Sequence, residues 1–286
     1  MGLYSIIVRP FARRMNIESA SKIALRYFEF VEKIPGGRLI SRWIHNNRPV
    51  GLQREVFGLD FYNPVGLGAG LDIHGELYND LNNLGFSFVE VGPMGADGVR
   101  RAVRRIQDDP QDDILAVCIN ADYLTAFTLA YDFCDFFVLD FSTTTPFSSD
   151  IVDAILDARV AEDVYKPIVI KLPKIISNTE IEEIADYSLM NRVDGIEARD
   201  IGQVRLIASY TRNKLPIIAN THIETPKQAE EALKAGASLI EVRNGLVREG
   251  PQFVGSILKH LLSVFKNERT SPAQDRGDVE SQRPDA

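Results

Sequence analysis

The sequence predicts a single (β/α)₈ barrel, an α/β fold, preceded by a helical extension, and three observations lead to this prediction. The 286 residues exceed the ~250 that such a barrel needs, which leaves a short appendage. From about residue 55 onward, short apolar segments alternate with amphipathic helical segments, a pattern typical of a parallel sheet covered by helices. Eight strand segments can be counted, and eight strand–helix units close into a barrel.

The eight candidate strands are short apolar runs bounded by polar turns, and they lie at 64–68, 87–92, 114–119, 136–140, 167–172, 193–197, 215–219 and 238–243. Helical periodicity predicts helices near 74–84, 121–133, 148–161, 178–190, 201–213, 225–235 and 251–265. One unit deviates from the pattern. Between the second and third strands the chain is rich in Arg and Asp and shows no clear apolar face, so no helix is predicted there.

The chain divides into an extension at 1–48, a barrel at 49–266 and a polar tail at 267–286 that is expected to be disordered. The extension carries nine basic and three acidic residues, a net charge of +6 that leaves −14 for the rest. Its apolar residues follow helical spacing in three stretches: Leu3, Ile6, Ile7 and Phe11; Ile23, Ala24, Tyr27, Phe28 and Val31; Leu39, Ile40, Trp43 and Ile44. Two interpretations stay open: helices packed on the barrel, or a hairpin lying on an anionic membrane.

The composition is that of a globular protein, with 45% hydrophobic and 25% charged residues. The two cysteines cannot form a disulfide scaffold, and no local Cys or His motif predicts a metal site. With a net charge of −8 the chain is not expected to bind nucleic acid. Because no apolar run approaches the ~20 residues that span a bilayer, we expect a soluble or peripheral protein. The basic extension is compatible with an anionic membrane surface, and the expected location is cytoplasmic, peripheral to the inner face of the membrane. The oligomeric state stays open.

Two blocks of sequence carry a resemblance to a known family. The first is FGLDFYNPVGLGAGLD at 57–72, and the second runs from PII at 216–218 through AGASLIEV at 235–242 to GLVREGP at 245–251. Both are similar to blocks of the dihydroorotate dehydrogenases. The basic front end resembles the membrane-docking, quinone-tunnel extension of the class 2, quinone-dependent members. The likeness extends from about residue 3 to 265.

The resemblance implies FMN-dependent oxidation of dihydroorotate to orotate, with quinone as the acceptor, in pyrimidine biosynthesis. It also assigns roles to individual positions. The family's catalytic serine base matches Thr143. The FMN-binding positions match Ala69, Gly70, Lys171, Asn244 and Gly245, and the substrate-binding positions match Asp140, Thr145 and Asp200.

Several matched positions depart from the family pattern. Ile73 replaces a lysine that lies near the flavin and the substrate carboxylate, and Asp140 adds a negative charge that would repel an anionic substrate. Thr221 and His222 replace glycines of the phosphate site, although His222 and Arg243 could contact a phosphate through their side chains. The loops expected between 106 and 114 and after Asp200 are missing, and both are active-site walls in the family.

Three hypotheses follow from these observations. The favoured one is a pseudoenzyme of this family, catalytically impaired, with FMN binding lost, that acts as a binding or scaffolding protein. The alternative is an active FMN-dependent dihydroorotate dehydrogenase or a related flavin oxidoreductase that uses Thr143. A third is a flavin-free barrel enzyme that uses Asp140, Asp200 and His222 at the strand ends.

Overall fold

A closed barrel of eight parallel strands forms the body of the protein, as the sequence predicts. The computed structural model describes residues 3–35, 44, 48–108, 113–142 and 146–270. A hairpin of β1 (Arg54–Val56) and β2 (Leu59–Phe61) precedes the barrel. The barrel strands in chain order are β3 (Val65–Leu67), β4 (Phe88–Met94), β5 (Ile114–Ile119), β6 (Phe136–Asp140), β7 (Ile168–Lys171), β8 (Gly195–Ala198), β9 (Ile217–Ala219) and β10 (Leu239–Val242). The circle closes where β10 pairs with β3.

Helices precede the barrel and cover its outside. The first three are α1 (Leu3–Ile7), α2 (Arg9–Ala12) and α3 (Ile17–Lys33). Those of the barrel are α4 (Tyr78–Asn82), α5 (Ala96–Asp108), α6 (Tyr123–Ala130), α7 (Ser149–Val160), α8 (Asn178–Met190), α9 (Ile201–Tyr210), α10 (Pro226–Lys234), α11 (Asn244–Glu249) and α12 (Gln252–Thr270). Local signals begin several of them. Ser177 and Glu180 form a capping box on α8, and the side chains of Asp200 and Thr225 accept backbone hydrogen bonds at the starts of α9 and α10.

The helix α5 corrects the sequence interpretation, which found no apolar face in this segment. Its buried residues are Ala96, Val99, Ala102 and Ile106, spaced three or four apart on one face. The stripe is hard to read from the sequence because two of the four residues are alanines and four arginines lie among them. Two other differences are the short helix α11, which was not predicted, and the end of α12 at Thr270 rather than 265. The tail at 271–286 lies outside the described residues.

Inward side chains fill the barrel in layers contributed by alternate strands. The hairpin closes the lower end, where Val56 and Phe61 belong to a cluster with Phe88, Phe136 and other inward apolar residues. The next layers upward change in character. Alternation along the strands places Glu90, Val138, Glu197 and Glu241 at one level and Gly68, Cys118, Lys171 and Asn220 directly above. The barrel therefore has an apolar floor and an ionic middle.

The first three helices pack one face against the barrel and expose another. Tyr4, Val8, Ala12, Ala20, Ala24 and Phe28 are buried in the main core. The Tyr4 hydroxyl donates to the carbonyl of Val247 in α11, and its ring contacts those of Tyr27 and Phe28. Phe28 belongs to one of the apolar stretches that the sequence offered for either barrel packing or membrane contact. At 5% exposure it is a core residue. No described helix is long and apolar enough to cross a membrane.

The burial of Tyr4 predicts the stability that docking of these helices contributes. We expect Tyr4→Ala to lower the free energy of unfolding by about 3–5 kcal/mol because it removes a buried aromatic ring and leaves a cavity. The matched control is Phe11→Ala, whose ring is 62% exposed and should cost less than about 0.5 kcal/mol. Urea denaturation of both variants measures the difference, and equal costs would contradict the docked arrangement.

Candidate functional site at the barrel mouth

A cavity of about 190 Å³ lies at the carboxyl ends of the strands, where barrel proteins carry their sites. The connections that surround it are short. One residue joins β4 to α5, two join β8 to α9, and one joins β10 to α11. The described residues that line the cavity are Ala69, Gly70, Pro93, Asp140, Ser142, Lys171, Lys174, Arg199, Asn220, His222 and Arg243. These three connections are too short to fold over the mouth.

The floor of the cavity is Lys171, which is held from below by carboxylates. Its Nζ lies 2.6 Å from Glu197 Oε1 and 3.5 Å from Glu90 Oε1, and all of these side chains are nearly or fully buried. Glu241 completes the group, because one carboxylate oxygen each of Glu90, Glu197 and Glu241 lies within 4.8 Å of the others. Three carboxyls share one ammonium in a region without water contact, so at least one carboxyl must carry a proton.

Burial and mutual repulsion decide which carboxyl is protonated. Desolvation, with the charges of Glu197 and Glu90, raises the pKa of Glu241 well above its ordinary value. Desolvation and the charge of Glu90 raise the pKa of Glu197 to about 7. The pKa of Glu90 is lowered, because its attraction to Lys171 and a hydrogen bond with Glu241 outweigh its desolvation. As carboxylates, Glu90 and Glu241 would lack a hydrogen-bond donor. A proton on Glu241 supplies one to Glu90.

The geometry of three close carboxylates is one that could hold a metal ion. Here Lys171 supplies the positive charge, and its pKa is raised well above the ordinary value because the attraction of Glu197 and Glu90 outweighs its desolvation. The cluster is therefore centred on an ammonium group. We call Lys171, Glu90, Glu197 and Glu241 the ionic cluster.

Arg243 closes the cavity from the side of β3. Its Nη1 lies 3.4 Å from the carbonyl oxygen of Ala69 and 2.5 Å from the point where a Cβ on Gly70 would stand. The guanidinium therefore lies directly over Gly70, and any side chain at that position would displace it. Gly68, one layer below, leaves room for Glu241 in the same way, since a Cβ there would lie 2.7 Å from Glu241 Oε2.

On the opposite side, Asn220 links the rim to the ionic cluster. Its Nδ2 donates to Glu197 Oε1 at 2.8 Å. His222 follows with a positive φ of 55° and lies 3.4 Å from Asn244 through Nδ1. Gly245 faces inward to the protein, because a Cβ there would meet the ring of Phe253 and the carbonyl of Ile223. The turn after β10 is thus packed against α12.

The structure places the remaining predicted residues as follows. Asp140 is buried at the rim, and its Oδ1 accepts a hydrogen bond of 2.7 Å from the amide of Ser142. Asp200 is exposed and caps α9, where its carboxylate accepts from the amide of Gln203, and it does not line the cavity. Thr143 and Thr145 lie outside the described residues. The mouth thus gathers Ala69, Gly70, Lys171 and Asp140 from the predicted set.

A second, larger cavity of about 580 Å³ lies between α3 and the segment after β3. Leu25 and Ile17 line it from the helix, and Ile73, which is 43% exposed, lines it from the barrel. Gly70 and Arg243 line both cavities, so the Arg243 side chain stands between them.

Comparison with known proteins finds similarity to one family. The family model described as dihydroorotate dehydrogenase matches residues 194–265. A dihydroorotate dehydrogenase (quinone) from Christiangramia forsetii is 23% identical, over 91% of this chain and 99% of the relative, and one from Idiomarina loihiensis is 24% identical, over 89% and 99%. The chain is thus similar to the dihydroorotate dehydrogenases over most of its length. A crystal structure of the enzyme from Eimeria tenella with ferulenol shares the fold, with a TM-score of 0.67 at 18% identity over 80% of this chain and 90% of that one.

The alignments also show that this chain is shorter than its relatives. The alignment to the Christiangramia relative extends over 336 residues, but 91% of this 286-residue chain is about 260 residues. About 75 aligned positions of the relative therefore have no counterpart here. The eight barrel strands are all present in this shorter chain.

The FMN that the resemblance implies does not fit this mouth. Arg243 occupies the space over Gly70 where the flavin edge would lie. The cavity of about 190 Å³ is smaller than the roughly 300 Å³ that drug-sized ligands require. The ammonium of Lys171, which matches a flavin-contacting lysine, is held by Glu197 below the cavity. Gly245 packs against Phe253 and offers no open phosphate cradle.

Sequence reasoning missed Glu90, Glu197 and Glu241. A usable signal exists, because each is a single acid within an otherwise apolar strand, in the segments FVEVG, GIEA and LIEV. In a parallel barrel a strand residue that points inward cannot reach water, so an isolated acid there requires a partner. Alternate residues of each strand point into the barrel, but the sequence alone does not show which alternate set does so. The three acids could therefore not be assigned to one cluster.

The ionic cluster predicts how stability depends on pH. Between the ordinary pKa of a glutamate and about 7, folded Glu197 binds a proton that the unfolded chain releases. The free energy of unfolding therefore falls as the pH rises through this window, and Glu241, with its raised pKa, continues the fall to higher pH. We expect Glu241→Gln to reduce the fall between about pH 5 and about pH 8, since one raised group contributes up to ~1.4 kcal/mol per pH unit.

The control for this experiment is Glu183→Gln, because Glu183 is exposed on α8. Chemical denaturation at several pH values should give that variant the slope of the unaltered protein. If Glu241→Gln and the unaltered protein have the same slope, the ionic cluster does not share protons as described.

Proposed function

We propose that this chain is a dihydroorotate dehydrogenase-family barrel that no longer performs flavin-dependent oxidation and that acts as a ligand-binding protein. The proposal rests on the position of Arg243. Its guanidinium lies over Gly70, and the cavity at the barrel mouth has a volume of about 190 Å³. A flavin ring and a substrate stacked on it need a larger, covered site. This mouth is small, and three of the connections around it have only one or two residues.

The charges at the mouth support the same proposal. Asp140 is a buried carboxylate at the position that the resemblance assigns to substrate binding, and it would face an anionic substrate. A negative charge held ~4 Å from Asp140 is repelled by roughly 4 kcal/mol at an effective dielectric constant of ~20, so an anionic group binds beside Arg199 and Arg243 rather than at this position. Ile73 supplies no compensating cation and lines the neighbouring cavity instead.

An active flavin oxidoreductase of this family, with quinone as the acceptor, is the second candidate. Retention of Ala69, Gly70 and Lys171 favours it, as does the cavity of about 580 Å³ beside α3, which is large enough for an apolar ring compound. This candidate requires that Arg243 leave the position over Gly70, and Thr143 would then be the residue to test as the base.

We also propose that the first three helices bring the protein to anionic membrane surfaces. Ile6, Ile7, Phe11 and Phe30 are each more than half exposed on the side that does not pack on the barrel. Arg14, Lys22 and Arg26 are exposed nearby in sequence. Apolar side chains beside basic ones are what an interfacial helix uses to bind anionic lipid. Arg9 and Arg13 contribute less, because both pair with Glu249.

The flavin proposal is tested on the purified protein itself. After incubation with excess FMN and desalting, the chain should retain far less than one flavin per molecule, since the mouth does not accommodate the ring. A protein that retains one flavin per chain, and whose visible absorbance is bleached by dihydroorotate, would establish the second candidate. In that case Thr143→Ala should abolish the bleaching.

The membrane proposal predicts flotation with vesicles that contain phosphatidylserine. We expect the double change Ile7→Ser and Phe11→Ser to reduce flotation strongly, because these side chains supply the apolar contact. Added salt should weaken flotation of the unaltered chain. The control is Val160→Ser, which removes an 84% exposed valine at the end of α7. Equal flotation of the double variant and this control would show that the helices only cap the barrel.

A further inference from the structure

Three cationic side chains from three strand ends converge on the barrel mouth. Lys174 follows β7, Arg199 follows β8 and Arg243 follows β10, and all three line the cavity. Among the described residues, neither Lys174 nor the guanidinium of Arg199 has a carboxylate partner or a hydrogen-bond acceptor. Arg243 makes only two long contacts, 3.4 Å to the Ala69 carbonyl and 3.3 Å to Asn244 Oδ1.

These three cations share the cavity with one rim carboxylate, Asp140. Arg243 is largely buried, and burial together with the charge of Arg199 lowers its pKa. Below it, Glu241 and Glu90 of the ionic cluster favour its charged form. The charge of Arg243 is therefore balanced from within the barrel, whereas Arg199 and Lys174 leave two positive charges at the opening.

We propose that the mouth binds a small phosphate monoester, with its phosphoryl group between Arg199 and Arg243. The proposal deepens the ligand-binding function proposed above and rests on it. A phosphate monoester carries about −1.5 to −2 charges near pH 7, and Lys174, Arg199 and Arg243 bring three positive charges to the cavity against the one carboxylate of Asp140. Guanidinium groups bind phosphoryl oxygens through paired N–H donors, and Lys174 adds a point charge at the rim.

The rest of the cavity restricts what the phosphate is attached to. Asp140 can accept a hydrogen bond from a hydroxyl group, and Asn220 and Lys171 line the floor. About 190 Å³ leaves room for a tail of a few polar atoms beside the phosphoryl group. The ligand class is therefore a short, hydroxylated phosphate ester, and a nucleotide is too large.

Isothermal titration calorimetry at fixed ionic strength tests the proposal with three probes: inorganic phosphate, glycerol 3-phosphate and the dicarboxylate malonate. We expect saturable binding of glycerol 3-phosphate, tighter than that of inorganic phosphate because the tail contacts Asp140 and Asn220. Arg199→Gln should weaken this binding at least about tenfold through loss of a charge-assisted hydrogen bond. The control is Arg205→Gln, an exposed arginine on α9 whose replacement changes the net charge by the same amount and should leave affinity unchanged.

Arg199→Lys provides a second variant that keeps the charge at this position. It should weaken binding less than Arg199→Gln, because the point charge remains and the planar fork is lost. The proposal is overturned if no probe saturates, if Arg199→Gln and Arg205→Gln weaken binding equally, or if malonate binds more tightly than both phosphates. None of these outcomes bears on flavin retention, so failure here is distinguishable from failure of the flavin-free function.

Discussion

The ion pair between Lys171 and Glu197, with Glu90 and Glu241 beside it, is the constraint on which the rest of the barrel depends. A buried ammonium and three buried carboxyls are tolerated only if their charges and protons balance. Their neighbours are accordingly adjusted to them: Gly68 leaves space for Glu241, Asn220 donates to Glu197, and Arg243 lies above as a further positive charge. The ionic cluster thus fixes the architecture of the mouth from below.

The fold of the barrel does not depend on the side chains at its mouth. The barrel closes through backbone pairing and its outer core, neither of which requires a flavin. The mouth depends on inward and rim side chains, which can be replaced without unfolding the barrel. Here those side chains draw Lys171 downward and place Arg243 over Gly70. The mouth is therefore a small cavity lined by cationic side chains.

Much of the fold could be predicted from the sequence, because strand and helix periodicities are local properties. All eight strand segments were placed correctly, since each is an apolar run between polar turns. The helix α5 was missed because its stripe depends on Ala96 and Ala102, which are weak apolar signals among arginines. The candidate site was harder. The resemblance pointed to Lys171 and Gly70, but the partners that determine their roles, Glu197 and Arg243, meet them only through closure of the barrel.

The position of Arg243 over Gly70 decides whether the mouth admits a flavin, and the most direct measurement is a crystal structure of the protein grown with excess FMN. We predict that the guanidinium remains against the Ala69 carbonyl, that Lys171 stays paired with Glu197, and that no flavin density lies at the mouth. A structure with a flavin stacked over Gly70, and with Arg243 turned away into the cavity beside α3, would contradict the claim that Arg243 excludes a flavin.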